Sequence, residues 1–354
     1  MARIVIAPDS FKGSISSRDA ARAIAQGWLD IRPDDEVIQV PYADGGEGSL
    51  AAIEQSRTGS VRVHAGKGYW LYLPEGIAVV ELAQVCGITL LEKLDPMNTH
   101  TYELGVLLSH AALDKRVKKI YVALGGSAST DAGFGALMSL GYKFLDIAGQ
   151  NVQKGGAYLL DIVHVDSSNV ISPPPEGVVA LVDVQSPLLG EYGAAAIYGP
   201  QKGATDLEIE MLELGLRNFL SVSGCKDGSG NGAAGGTSFG LGAFWGATFS
   251  SGAQSIAEII GLPQLVADAD LVITGEGRLD SQSFVGKGVG FIYDLSLASK
   301  TEIAFCVGSN SIDFPDNSAG VSILNFAQDL QDAITHAARY LREGGSKLAG
   351  NFHK

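Results

Sequence analysis

The densest set of reactive groups in this chain lies at residues 120–141, Ile-Tyr-Val-Ala-Leu-Gly-Gly-Ser-Ala-Ser-Thr-Asp-Ala-Gly-Phe-Gly-Ala-Leu-Met-Ser-Leu-Gly. Gly125 and Gly126 permit a tight turn and a close approach of backbone to a ligand. Ser127, Ser129 and Thr130 add hydroxyls, and Asp131 adds a carboxylate. An apolar run before the loop and helical spacing of Phe134, Leu137 and Met138 after it predict strand, loop, helix. That order aims backbone N–H groups at an anion. The same residues also spell an ordinary strand-to-helix turn with a Ser, Thr or Asp cap, and for this loop alone the two readings weigh equally.

Other loops share the character. Asp9-Ser10-Phe11-Lys12-Gly13-Ser14 and Ala43-Asp44-Gly45-Gly46-Glu47-Gly48 each follow an apolar run. Further along come Asp183-Val-Gln-Ser-Pro-Leu188, a turn carrying Lys202, Gly275-Glu276-Gly277-Arg278-Leu279-Asp280, and Gly286-Lys287-Gly288. Pooled, they supply the cations Lys12, Lys202, Arg278 and Lys287 and the carboxylates Asp9, Asp44, Glu47, Asp131, Asp183, Glu276 and Asp280. Phosphoryl transfer needs this mixture: cations for transition-state charge, carboxylates for Mg²⁺, and one carboxylate to take the acceptor's proton. Metal-dependent phosphate hydrolysis asks for nearly the same groups. Surface ion pairing explains any one of them singly, but not their shared place beside glycine at strand ends. Gly230-Asn-Gly232-Ala-Ala-Gly235 matches the dinucleotide fingerprint formally, yet no strand precedes it, so it reads as a close-packed Gly/Ala helix. Gly286-Lys287 lacks the surroundings of a P-loop.

The elements that must position these loops read as an α/β fold. Apolar runs at 3–7, 37–40, 120–124, 271–274, 303–307 and 321–324 predict strands of one parallel sheet. A helix is expected from near Ser16, with Asp19 in a capping-box-like place and Ala20, Ile24 and Trp28 on its apolar face. Residues 61–85 alternate as antiparallel hairpins, 99–112 and 207–220 read as helices, and 327–341 as a final helix. The expected layout is a Rossmann-like parallel sheet domain, 1–60 plus 98–145 plus 265–354, interrupted by a second mixed α/β domain, 61–97 plus 146–264. Such a layout is expected to leave a cleft between the two, where ligands commonly bind. Strand-end loops of open parallel sheets are the expected ligand sites.

Composition narrows the partners. Of 354 residues, 46% are hydrophobic and only 18% charged, which describes a well-buried globular chain. A net charge of −14 argues against nucleic acid and anionic membrane as partners. The 3 cysteines form no disulfide or zinc pattern and read as small buried residues, and the 6 histidines form no metal-type pair. No apolar run nears the ~18 residues of a membrane span, and the first residues run into a strand without a secretory apolar segment. Cytoplasm is the expected location, and either a monomer or a homodimer is compatible.

Taken together, the stretches Ile4-Val-Ile-Ala-Pro-Asp-Ser-Phe-Lys-Gly13, Ala43-Asp-Gly-Gly-Glu-Gly48, Gly125-Gly-Ser-Ala-Ser-Thr-Asp131, Asp183-Val-Gln-Ser-Pro-Leu188, Tyr198-Gly-Pro-Gln-Lys-Gly-Ala204 and Gly275-Glu-Gly-Arg-Leu-Asp280 resemble the bacterial type I glycerate kinase family over nearly the whole chain. The resemblance implies ATP-dependent phosphorylation of D-glycerate, usually to 2-phosphoglycerate, with Mg²⁺. Departures occur at Gly286-Lys-Gly-Val-Gly-Phe291, which lacks the usual proline, at Asp95-Pro96-Met97-Asn98, and in a shortened 61–80 segment. These bear on the substrate more than the fold; a kinase for another short hydroxy acid is the nearer alternative, a non-catalytic small-molecule-binding regulator the more distant. On this reading Lys12 and Arg278 clamp anionic groups. Residues 125–129, with Gly125, Gly126, Ser127 and Ser129, hold ATP phosphates, assisted by Lys202 and Lys287. Asp44 and Asp131 divide the roles of general base and metal carboxylate in an unassigned order, with Asp183 a further metal candidate. Asp9, Ser10, Glu47 and Asp280 are expected near the substrate.

Overall fold

Short apolar runs ended by glycine, proline or an acid form the strands in this computed structural model, which describes residues 1–284 and 288–353. The chain divides into two units: Met1–Asp44, Ala51–Thr58 and Ala253–Lys354 make the first, Gly45–Leu50 and Gly59–Gly252 the second.

In the first unit five strands lie in the order Ala319–Ser322, Glu302–Val307, Leu271–Thr274, Arg3–Ile6, Glu36–Gln39, all parallel. Numbered along the chain this is 2-1-3-4-5, a doubly wound order whose direction reverses between Arg3–Ile6 and Leu271–Thr274. Alternation along the strands sends Ile4, Ile6, Ile273 and Cys306 into one core cluster. That cluster includes Ala20, Ile24 and Trp28 of helix Ser17–Ile31 and Leu341 and Leu348 of helix Ala337–Asn351. Ser16 caps the former by accepting from the Asp19 N–H. The two helices touch backbone to backbone: a Cβ on Gly27 would lie 1.8 Å from the Arg342 carbonyl oxygen.

The second unit holds a six-stranded sheet in the order Thr248–Ser250, Val178–Leu181, Lys119–Ala123, Ile77–Glu81, Gly68–Leu73, Val61–Ala65. Its first four strands are parallel, and the last two form antiparallel hairpins. Phe134, Phe144, Phe219 and Phe239 lie in its core, with Phe134 and Phe144 edge to face at 5.0 Å.

Several expectations need correction. Strand Lys119–Ala123 pairs with Ile77–Glu81 and Val178–Leu181, not with the first sheet. Residues 98–145 therefore belong to the second unit and 253–264 to the first. An apolar parallel strand looks the same in either sheet, so its composition could not choose. The final helix is two, Leu330–Thr335 and Ala337–Asn351, broken at His336, whose ring bonds Asp332 at 2.8 Å. Residues 233–245 are helical, but Ala234, Gly235 and Gly236 take left-handed dihedrals within them. Cys86 and Cys306 are buried as expected; Cys225 is exposed. Among the described residues no helix is long and apolar enough to cross a membrane.

Candidate active site

At the reversal point of the first sheet, pairing continues past the strand ends and binds the loops together. The Ala7 N–H donates to the Ile273 carbonyl and the Asp9 N–H to the Gly275 carbonyl, each at 2.8 Å. Thr274 Oγ1 donates to the Ala7 carbonyl at 2.9 Å. On the other side Val40 N–H reaches the Ile6 carbonyl at 2.8 Å, and the buried Tyr42 hydroxyl donates to the Ala253 carbonyl at 2.6 Å. Asp9, Asp44 and Glu276 are thereby set on neighbouring strand ends.

These acids feel one another. Burial, then the charge of Asp44 and, more weakly, that of Glu276, push the Asp9 carboxyl up from 3.8 to about 7. The Ser10 N–H, 2.6 Å from Asp9 Oδ1, and the Lys12 ammonium pull the other way. Asp9, Ser10, Asp44 and Glu276 are half-buried, while Lys12 and Arg278 are exposed. Lys12 sits in a tight turn anchored by the buried Phe11, whose N–H donates to the Ile15 carbonyl at 3.0 Å. Arg278 stands in the two-residue strand Arg278–Leu279, parallel to Ser309–Asn310. Asp280 acts locally, its Oδ1 accepting from the Gln282 N–H at 2.9 Å and capping the turn Ser281–Phe284. Lys287 lies outside the described residues.

In the second unit the Gly45–Leu50 segment packs on the 125–131 loop. The Gly125 N–H donates to the Gly45 carbonyl at 3.3 Å, and a Cβ on Gly125 would lie 2.5 Å from the Gly46 Cα, so only glycine fits. Glu81, the acid that ends an apolar strand, is buried and holds this segment. Its carboxylate accepts from the Gly48 N–H at 3.0 Å and the Leu50 N–H at 2.9 Å. Burial raises the Glu81 carboxyl against these bonds, aided by the charge of the exposed Glu47.

The 127–131 hydroxyls turn inward. Ser127 Oγ accepts from the Ser129 N–H at 3.2 Å, and Ser129 Oγ donates to Asp131 Oδ1 at 3.1 Å. Asp131 is 0% exposed. Oδ1 also accepts from the Gly133 N–H, and Oδ2 accepts from the Thr101 N–H, the Thr101 hydroxyl and the Gly135 N–H at 2.8–3.1 Å. A carboxylate so surrounded has no lone pair directed outward for Mg²⁺ or a substrate proton, which corrects the expectation of Asp131 as base or metal ligand. The Ala128 N–H donates to the Cys86 carbonyl, so within 125–129 the Gly126 and Ser127 N–H groups are the ones without a hydrogen-bond partner among the described residues. Gly126 is the exposed member.

Lys202 is 3% exposed and its Nζ donates to the Ser129 carbonyl. Burial lowers it from 10.5 to about 8, against the charge of Asp131. The structure therefore places Lys202 beneath the loop, where it is enclosed and not open to a ligand. Asp183 follows strand Val178–Leu181 half-buried, its Oδ1 accepting from the Ser251 hydroxyl at 2.8 Å and the Gly252 N–H at 2.9 Å. Among the described residues no three acidic, histidine or cysteine side chains gather as a metal-holding group. Mg²⁺ commonly takes one or two carboxylates and completes its shell with phosphate and water, a demand that the enclosed Asp131 does not meet.

Glu81, Thr101 and Tyr42 escaped sequence reasoning. The signal for Glu81 was a lone acid closing the buried run Ile77-Ala78-Val79-Val80. Thr101 and Tyr42 carried none.

A sequence model of the glycerate kinase family matches residues 4–352. The chain is 33% identical over 372 residues to the glycerate kinase of Bacillus subtilis, covering 99% of this chain and 97% of that protein. It is 37% identical over 308 residues to the glycerate 2-kinase of Escherichia coli, covering 80% and 79%. A crystal structure of a protein assigned as glycerate kinase 2 from Salmonella typhimurium LT2 matches with a TM-score of 0.80 at 32% identity, covering 99% of this chain and 97% of that one. On the match along nearly its full length, the chain belongs to the glycerate kinase family and is a kinase.

Proposed function

We propose that the protein transfers the γ-phosphoryl group of ATP to D-glycerate, giving 2-phosphoglycerate and ADP. The glycerate 2-hydroxyl oxygen bonds to the γ-phosphorus, the bond from that phosphorus to the β,γ-bridging oxygen breaks, and the hydroxyl proton passes to a carboxylate. The observation that carries this reading is the acid group of the first unit, where Asp9 is raised to about 7 by burial, Asp44 and Glu276. A base poised near neutrality is the kind that accepts a hydroxyl proton efficiently. Asp9 takes that role, with Asp44 as the charge that tunes it.

Lys12 and Arg278, exposed and cationic, suit the glycerate carboxylate and the transferring phosphoryl oxygens. The Gly126 and Ser127 N–H groups suit a nucleotide phosphate. Asp183 would hold Mg²⁺, which supplies charge neutralisation on the phosphates. An ATP-using reaction also fits the cytoplasmic location expected from the sequence. A coupled ADP-release assay with ATP and Mg²⁺ across D-glycerate, L-glycerate, tartronate, lactate and glycolate tests the reading. Turnover with D-glycerate at least about 10²-fold above lactate and glycolate is expected, since a site built to hydrogen-bond a substrate hydroxyl rejects analogues lacking it. Preference for a different hydroxy acid would displace glycerate as substrate.

A further inference from the structure

The least explained feature of the second unit is the polar nest around Lys202. An ammonium 3% exposed is costly to keep, and apolar side chains fill such space without that cost. Other local costs meet at the same point. Ala132 and Ala234 hold φ of 51° and 53°, a left-handed region that side chains other than glycine rarely adopt. The Gly235 backbone comes so close that a Cβ there would lie 2.1 Å from the Ser129 carbonyl oxygen and 2.9 Å from Lys202 Nζ. The Ala132 N–H donates to the Gly235 carbonyl at 3.0 Å, and the buried Thr130 hydroxyl has no hydrogen-bond partner among the described residues. Strain and unpaired polar atoms persist where surroundings over-determine them, and they gather at functional sites.

We infer that Lys202 is a positioning residue for phosphoryl transfer: its charged ammonium grips the Ser129 carbonyl from below and fixes the 125–129 loop, so that the Gly126 and Ser127 N–H groups meet the nucleotide's phosphates in one arrangement. The inference rests on the proposed phosphate-binding role of that loop. Lys202 itself touches no substrate.

Asp131 is the charged group that faces Lys202, and His100 and Cys86 in turn feel Asp131. Helix Ala194–Tyr198 contributes Tyr198, bonded to Ser186 at 3.0 Å. Segment Ala233–Trp245 carries no titratable side chain, and the helix that follows Lys202 engages Glu208 with Thr205 at 2.8 Å. Deprotonated, Lys202 still donates a hydrogen bond but loses the charge that strengthens it. Its pKa in the folded state lies near 8 against 10.5 ordinarily. Over that window the unfolded chain holds the proton longer, so this group's contribution to stability rises with pH while loop positioning is lost.

The test measures kcat and KM for ATP against pH in wild type, Lys202→Arg and Lys202→Met, with melting temperatures alongside. For wild type, kcat/KM for ATP is expected to fall about tenfold between about pH 7 and pH 9.5, without a matching fall in melting temperature attributable to this group. Lys202→Arg, always charged, should lose that limb. Lys202→Met should lose about tenfold or more in kcat/KM for ATP at neutral pH with glycerate KM nearly unchanged. A limb that survives in Lys202→Arg, or an unaltered ATP KM in Lys202→Met, overturns the inference. If Lys202→Met does not fold, the arginine variant still decides. Hydrogen exchange at 125–129 in wild type, with and without a non-hydrolysable ATP analogue, tests the underlying reading separately. Protection there supports the phosphate loop, and unchanged exchange would end it whatever the lysine variants do.

Discussion

Replacing Asp9 by asparagine separates catalysis from stability, because the two are expected to move in opposite directions. The rise of the Asp9 carboxyl from 3.8 to about 7 corresponds to about 4 kcal/mol of cost for the ionised form. The side chain keeps some solvent contact, so about half of this, roughly 2 kcal/mol, is a sounder expectation. The folded pKa is the higher one, so the folded state binds more protons than the unfolded chain between 3.8 and about 7. Stability drawn from the protonated group is present below 3.8, declines as pH rises through that window, and the ionised carboxylate bears its full cost above it. Asparagine is neutral throughout and its side-chain oxygen can still accept from the Ser10 N–H. Asp9→Asn should therefore gain roughly 2 kcal/mol at about pH 8 and distinctly less near pH 4.5 in urea unfolding, while kcat falls by about 10²–10⁴-fold. A variant that is less stable at pH 8, or that turns over at near-normal rate, would refute the reasoning.

Three more outcomes follow from the same geometry. Asp44→Asn removes the largest charge raising Asp9, so the acid limb of kcat/KM should move to lower pH, and a limb that stays put would detach Asp44 from Asp9. Asp131→Asn places an amide NH₂ against buried donors and strips Lys202 of its counter-charge; a loss of about 3–5 kcal/mol is expected, read as a melting temperature lower by roughly 6–15 °C, and an unchanged melt would contradict the scaffold role. Glu81→Ala leaves the Gly48 and Leu50 N–H groups without their acceptor and should cost about 1–3 kcal/mol for the buried one. Glu81→Gln, which keeps one oxygen, should cost visibly less in the same calorimetric comparison.

The sequence was most informative where the cause is local. The Ser16 cap, the hairpins over residues 61–81 and the strand-end glycine loops follow from dihedral preference and side-chain periodicity within a few residues. Sheet membership of Lys119–Ala123 was not legible, because a parallel strand buried on both faces advertises burial and not its neighbour. Asp131 looked like a ligand-binding acid since the groups that enclose it include Thr101, thirty residues earlier. The same distance hides Asp9: its carboxyl is raised by burial and then by the charges of Asp44 and Glu276, which only the 2-1-3-4-5 strand order brings to one end of the sheet. Lys202 reads from its turn as a cation that assists in holding ATP phosphates, and only the fold puts it under the Ser129 carbonyl.

Phosphorus NMR of purified protein incubated with D-glycerate, ATP and Mg²⁺ reads the proposed product without an intermediary. One phosphomonoester, coupled to the C2 proton of glycerate, should grow in step with ADP. Inorganic phosphate in place of that ester, or an ester on a different carbon, would contradict glycerate 2-phosphorylation.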